Sequence, residues 1–241
     1  MPLAYGSLRS VMQLKRTHLS REEIDLHRQL YQGLANEGWI SGGEIRPHEL
    51  DLLVEVYNAF RPSKSLEWGL CSGVSAVALG KARQRLGLGG KHVALDPFQK
   101  DFDDHGIKYL AEYSCSDCVD FHPTRSEEYL VDVRNRGELF DFIFIDGAHD
   151  VGQKLTDACL ASQVASKNAI ICFHDSFFVS TSLAVTYLIE HRGFSLIETG
   201  VEKKFRRRLR GLKHARSLGL AYALKSAPTI DFALSFLTNA H

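Results

Sequence analysis

The fold class this sequence predicts is α/β: one doubly wound, seven-stranded, mostly parallel sheet with an antiparallel edge strand and an N-terminal helical extension. Three observations predict it. Short apolar runs alternate with stretches of helical periodicity from residue 62 onward, a pattern that implies parallel strands joined by right-handed crossovers. The run Ser65-Leu66-Glu67-Trp68-Gly69-Leu70-Cys71-Ser72-Gly73-Val74-Ser75 reads as a buried strand, a glycine-bearing turn and a helix start. Polar residues then follow one strand after another, at the end where open parallel sheets place their ligands.

The elements follow in order. Residues 1–45 are polar and helix-prone, with Ser20 before Arg21-Glu22-Glu23 as a helix start. They form the N-terminal extension, and residues 46–241 form the main domain. Pro47 opens a helix whose apolar positions Leu50, Leu53, Val54, Tyr57 and Phe60 repeat at 3.6 residues, and Pro62 closes it. The strands are Leu66–Leu70, His92–Leu95, a weaker one near Val119–Phe121, Phe142–Ile145, Ala169–Phe173, Phe194–Ile197 and Leu220–Leu224. Unbroken apolar strands such as Phe142-Ile143-Phe144-Ile145 fit a sheet covered on both faces. Helices carrying Val74, Val77, Ala78 and Ala82, and Val151, Leu155, Ala158 and Cys159, supply that cover. No helix separates the last two strands, which predicts an antiparallel pair at one edge.

Composition excludes several classes. Lysine plus arginine equals aspartate plus glutamate, 29 each, among 241 residues, so no overall field draws the chain to nucleic acid or to a membrane surface. No apolar run reaches the roughly 20 residues that span a bilayer, and Met1–Gln13 lacks a signal-peptide core. Cysteines 71, 159 and 172 sit in apolar runs and read as reduced core residues. Cys115-x-x-Cys118 is the only close pair and has no second ligand pair beside it, so it reads as a loop or strand edge rather than a zinc site. The expectation is a soluble, cytoplasmic protein, with a homo-oligomer compatible with it.

The strand ends carry the chemistry. Gly69 and Gly73 let the main chain bend and be approached closely, and the following helix offers unpaired N–H groups. The spacing is not that of Gly-x-Gly-x-x-Gly, which argues against a nicotinamide-dependent oxidoreductase. Asp96, ending the second strand in Asp96-Pro97-Phe98-Gln99, is either a turn residue or the acceptor for both ribose hydroxyls of an adenosine ligand. The third strand leads to Arg125-Ser126-Glu127-Glu128, the fourth to Asp146-Gly147-Ala148-His149-Asp150 and the fifth to His174-Asp175-Ser176. Asp150 and Ser176 read as helix N-caps, and Glu127 and Glu128 as first-turn residues favoured by the helix dipole.

Acidic-x-Gly-x-x-x-Gly-x-Ser from Glu67 resembles motif I of class I S-adenosylmethionine-dependent methyltransferases. Phe140–His149, Asp157 and Ile170–Asp175, with Asp96–Gln99, His105-Gly106 and Ser126-Glu127, make the chain similar to the methyltransferase-24 group over about residues 45–200. That group is related to small-molecule O-methyltransferases. Where a Pro-Gly-Gly turn is usual before the fifth strand, Ala165-Ser166-Lys167-Asn168 stands here; asparagine tolerates the left-handed conformation such a turn needs.

The resemblance implies S-adenosylmethionine as cofactor, with Glu67, Gly69, Ser72, Gly73, Ser75, Asp96, Ser126 and Asp146 around it, and a small-molecule acceptor methylated at oxygen. Two activations of the acceptor follow. A divalent ion such as Mg²⁺ on Asp146, His174 and Asp175 is one, weakened by the histidine because imidazole suits transition metals better. A histidine base is the other, His149 before His174, with Asp146 beside it as a catalytic residue. His105, in the loop after Asp96, either gates the site or is a surface histidine. Eight basic residues between Lys203 and Arg216 read as a solvated segment, with an anionic or nucleic-acid substrate as the rival reading. A catalytically silent binding or scaffold protein is the rival of another class.

Overall fold

The structure, a computed structural model, describes residues 12–13, 17–39, 44–176, 178–198 and 234–239. The predicted strand Leu220–Leu224 and the basic segment Lys203–Arg216 lie outside these residues. After the two-residue β1 (Met12–Gln13) come helices α1 (Arg21–Asn36) and α2 (Pro47–Phe60). The alternating part runs β2 (Ser65–Trp68), α3 (Val74–Leu86), β3 (His92–Leu95), a 3₁₀ turn (Gln99–Phe102), α4 (His105–Glu112) and β4 (Val119–His122). It continues with α5 (Ser126–Asn135), β5 (Phe140–Ile145), α6 (Val151–Val164), β6 (Ala165–Phe173), α7 (Val179–Arg192), β7 (Ser195–Glu198) and β8 (Ser235–Thr238).

The sheet order is β1-β7-β8-β6-β5-β2-β3-β4. All pairs are parallel except those of β8, which runs antiparallel between β6 and β7. Six of the seven predicted strands are present, and β1 and β8 (Ser235–Thr238) stand beside them where no strand was predicted. β8 pairs with β7 in the antiparallel sense. Strand order reverses between β5 and β2, whose ends meet in register at Trp68 and Ile145. That is the crevice where an open α/β sheet binds ligands.

Alternation along the strands fills both faces. Phe142 and Phe144 of β5, with Ile170 and Cys172 of β6, pack under α1, α2, α3 and α4. Ile143, Ile145, Ile171 and Phe173 pack on the other face with Leu130, Ala158, Ala161 and Val185 from α5, α6 and α7. Period-two side chains on unbroken apolar strands produce this two-sided core, and each fully buried Leu, Ile or Phe contributes about 1.5–3 kcal/mol. Leu30 and Leu34 of α1 share the first of these clusters with Leu53 and Val77, which seats the N-terminal helix on the main domain.

Local signals act as read. Ser20 and Glu23 form a reciprocal capping box at α1, and Asp150 caps α6 by accepting from the Gln153 amide at 2.9 Å. Asn168 takes a left-handed φ of 64° inside β6, where the pairing with β5 shifts register, so the turn expected before the fifth strand is an irregularity within it. Ser176 differs from expectation. α7 starts only at Val179, and the Ser176 hydroxyl donates to the Phe173 carbonyl at 3.4 Å instead of capping the helix. Among the described residues no helix is long and apolar enough to cross a membrane.

Candidate active site

Gly69 ends β2 with φ of 99°, and a Cβ there would lie 2.1 Å from the Asp146 carbonyl oxygen. The close approach follows from the β2–β5 pairing, because the Asp146 amide donates to the Trp68 carbonyl at 3.0 Å. Any other residue would push the two strand ends apart. Gly73 has φ of 85°, and its Cβ would lie 2.9 Å from the Gly106 carbonyl. The glycine turn is thus clamped between the end of β5 and the start of α4.

Asp96 holds this turn together. Its carboxylate accepts from the Cys71 amide at 2.7 Å, the Phe98 amide at 2.8 Å and Gln99 Nε2 at 3.0 Å. Gln99 Nε2 also donates to the Cys71 carbonyl at 2.9 Å, and Gln99 Oε1 accepts from the Gly106 amide at 3.1 Å. A carboxylate has about four lone-pair sites, so one remains for a ligand hydroxyl, and a second opens if Gln99 swings away. His105 is buried rather than on the surface. Its ring lies between the Ser72 carbonyl at 3.2 Å and Glu37 at 2.8 Å, flanked by Trp39 and Tyr109. It ties the segment after α1 to the glycine turn.

Glu67 is placed differently from the other predicted cofactor residues. It is 1% exposed, 3.5 Å from the Ser75 hydroxyl and 3.3 Å from His92 Nε2. Sitting within the strand rather than past its end, it points beneath the turn and braces the first turn of α3. Ser72 is buried in the turn itself. Ser126, at the start of α5, donates to Asp157 at 2.6 Å, and Gln153 donates to both at 3.3 and 3.1 Å.

The predicted catalytic residues do converge. His174 Nδ1 lies 3.0 Å from Asp146 and 3.4 Å from Asp175, and its Nε2 lies 3.3 Å from Glu49. Asp175 takes a left-handed φ of 53° at this junction. Burial works against a charged His174, yet the Asp146 charge and hydrogen bonds to Asp146, Asp175 and Glu49 push its pKa up to about 12. Burial likewise works against ionised Asp175 and Glu49, and contact with His174 holds both below the usual carboxylate range. The cluster is an imidazolium among three carboxylates. His149, 46% exposed, stands at the rim with Nε2 3.6 Å from Asp175 and its ring against Phe178.

Ligand atoms of Asp146, His174 and Asp175 lie within 4.8 Å of one another. The two carboxylates suit a hard divalent ion. The histidine would first have to release a proton that Asp146 and Asp175 hold on Nδ1, and imidazole suits a transition metal better than Mg²⁺. The same contacts stabilise the protonated ring, so His174 is a weaker base than an imidazole of ordinary pKa.

Three participants escaped the sequence reading. Glu49 comes from the first turn of α2, where spacing gives no sign of contact with residue 174. Gln99 was visible only as part of a post-strand loop. Lys154 of α6 is fully buried, with no hydrogen-bond partner for Nζ among the described residues. Burial lowers its pKa, opposed by Asp146, Asp157 and Asp175.

Residues 66–176 match the methyltransferase-24 family model, described as a methyltransferase domain. Every strand end of the site falls within this span. No curated protein matches the chain. Among solved structures, an O-methyltransferase from Bacillus cereus in complex with S-adenosylhomocysteine aligns with a TM-score of 0.62 at 14% identity, covering 89% of this chain and 90% of that one. The O-methyltransferase TomG from Streptomyces achromogenes, involved in tomaymycin synthesis and in complex with S-adenosylmethionine, aligns at 0.59 and 14% identity, covering 91% and 90%. A putative caffeoyl-CoA O-methyltransferase from Staphylococcus aureus aligns at 0.61 and 13% identity, covering 90% and 97%. At these identities the alignments establish a shared fold.

Proposed function

We propose, from the match of residues 66–176 to the methyltransferase-24 family model, that the protein is a class I methyltransferase that transfers a methyl group from S-adenosylmethionine to oxygen on a small-molecule acceptor. The supporting observation is the convergence of Asp96 and the glycine turn with Asp146, His149, His174 and Asp175 at the carboxyl ends of adjacent strands. The residues present fit the cofactor. Asp96 retains acceptor capacity beside a turn whose glycines leave the backbone open, and the first-turn amides of α3 face the same crevice. When bound, the sulfonium supplies an electrophilic methyl.

The chain's own residues then orient and deprotonate the acceptor. Asp96 receives ribose hydroxyls, with Gly69, Ser72 and Gly73 shaping the turn, Ser126 and Asp146 bordering it, and Glu67 and Ser75 bracing it from below. His149 takes the proton of the acceptor hydroxyl at Nε2, and Asp175 favours the positive ring that results. His174 keeps Asp146, Asp175 and Glu49 fixed, so orientation is preserved while the proton moves. Residues 1–45 cap the acceptor side and residues 46–241 form the catalytic domain. Similarity to O-methyltransferases in complex with the cofactor or its product supports this reading.

Transfer of label from S-adenosylmethionine into a small-metabolite extract tests the activity, and calorimetry with S-adenosylhomocysteine tests the site. Asp96→Ala is expected to weaken that binding by about 1–3 kcal/mol through lost charge-assisted hydrogen bonds. Wild-type protein that binds no S-adenosylhomocysteine at high micromolar concentration supports the scaffold reading instead. Equal affinity in the variant removes Asp96 from the site.

A further inference from the structure

Cys115 and Cys118 take no part in the site above. They lie in the turn between α4 and β4, at the amino end of the sheet, with Cys115 buried and Cys118 half-buried. The Cys118 amide donates to the Cys115 carbonyl at 3.0 Å and the Val119 amide to the same oxygen at 2.9 Å. Such a turn brings its end Cα atoms within about 7 Å, close to the roughly 4.4–6.8 Å a disulfide spans. Both sulfurs line the same gap beside Gly80. A methyl on Gly80 of α3 would sit 3.2 Å from Cys118 Sγ and 3.3 Å from Cys115 Sγ, so the missing Cβ leaves room for both. Among the described residues no third ligand joins the pair to make a metal site.

The sulfurs are not equivalent. Cys115 hydrogen-bonds to Cys118 and holds its thiol below the usual range, with burial opposing and Lys81 and Arg83 assisting, while the same contact and burial push Cys115 up. A half-exposed sulfur with thiolate character beside a buried protonated one is the arrangement of an attacking and a resolving thiol.

We propose that Cys115 and Cys118 form a reversible dithiol–disulfide site, oxidised by a small-molecule disulfide of the glutathione type. Cys118 thiolate attacks one sulfur of the disulfide, whose S–S bond breaks and whose leaving thiolate takes up a proton. Cys115 loses its proton, attacks Cys118 sulfur in the mixed disulfide and expels the second thiolate, which is protonated in turn. The two cysteines lose two electrons, and the small disulfide becomes two thiols.

Both cysteines fall on one tryptic peptide, Tyr109–Arg125. Protein equilibrated in glutathione buffers of stepped ratio, blocked with N-ethylmaleimide and digested, is expected to show this peptide passing from two maleimides to none. The unlabelled peptide should be two hydrogens lighter and regain both labels on reduction. Cys115→Ser should trap glutathione on Cys118, whereas Cys118→Ser should trap none on Cys115. Two maleimides retained in the most oxidising buffer, or glutathione trapped on Cys115 instead of Cys118, overturns the proposal. If a variant fails to fold by circular dichroism, the wild-type titration decides alone.

Discussion

Buried cations at opposite ends of the same sheet are held in different ways. At the amino end, Arg83 of α3 donates to Tyr57 Oη at 3.0 Å, the Pro62 carbonyl at 3.2 Å, Ser65 Oγ at 3.4 Å and the Ser63 carbonyl at 2.9 Å, and also to the Gly89 carbonyl. Its partners are neutral and local, so the guanidinium joins loops that must meet. At the carboxyl end, His174 faces three carboxylates, and Lys154 is buried with no hydrogen bond from Nζ among the described residues. Concentrated charge there carries a desolvation cost that its own attractions must offset. It does create a fixed electrostatic field where a reaction can use it. The comparison assigns stability to one end and chemistry to the other.

His149→Ala gives the largest expected separation. Methyl transfer should fall by about 10²–10⁴-fold, while the urea midpoint stays within error because the side chain is half exposed and off the core. A rate unchanged by the substitution would take chemistry out of the rim and leave orientation as the source of catalysis.

Arg83→Met inverts that pattern. Removing a buried, multiply bonded cation leaves carbonyls and hydroxyls without donors, a loss of about 3–4 kcal/mol in unfolding free energy. Cofactor affinity should hold in whatever protein remains folded. A midpoint near wild type would mean that the amino-end network is dispensable and the comparison fails.

The two ends were also unequally legible in the sequence. Strand ends could be read because apolar runs stop abruptly at Asp96, Asp146 and His174, and a parallel sheet brings such stops together. What a strand end touches could not be read. Glu49 reaches His174 across 125 positions of chain, and nothing in a helix start announces which distant strand it will face. Glu67 looked like a ligand residue because it precedes the glycines, but one strand position decides whether a side chain clears the turn or lies beneath it. Lys154 falls between the apolar positions of its helix, and only the packing of α6 on the sheet reveals it as buried. The left-handed Asn168 was readable, since its chemistry is local.

Lys154→Met probes the costlier side of the carboxyl-end cluster. Desolvation is the largest influence on this ammonium, ahead of its attraction to Asp146, Asp157 and Asp175. A methionine of similar length should therefore leave stability unchanged or raise it by about 1–2 kcal/mol, with activity reduced as the carboxylates lose a neighbouring charge. Destabilisation of more than about 1 kcal/mol would show that Lys154 holds the carboxylates together as Arg83 holds its loops.

The smallest effect per step is a slope with pH, and it isolates His174. An imidazole with an ordinary pKa near 6.5 when unfolded and about 12 when folded contributes its full stabilisation below pH 6.5. That contribution is lost as pH rises toward 12, by at most about 1.4 kcal/mol for each pH unit between. The depressed pKa values of Asp175 and Glu49 act in the other window, adding stability above about pH 4 that disappears in acid. Lys154, its pKa lowered by burial, opposes His174 only where the lysine loses its proton in the fold but not in the unfolded chain. Unfolding midpoints measured from pH 7 to 9 should therefore fall for the wild type and stay nearly level for His174→Gln. Parallel slopes in the two proteins would mean that His174 carries no buried charge. Its imidazole would then be free to ligate a divalent ion, and chelator sensitivity of methyl transfer, restored by Mg²⁺ or Mn²⁺, would become the expected behaviour.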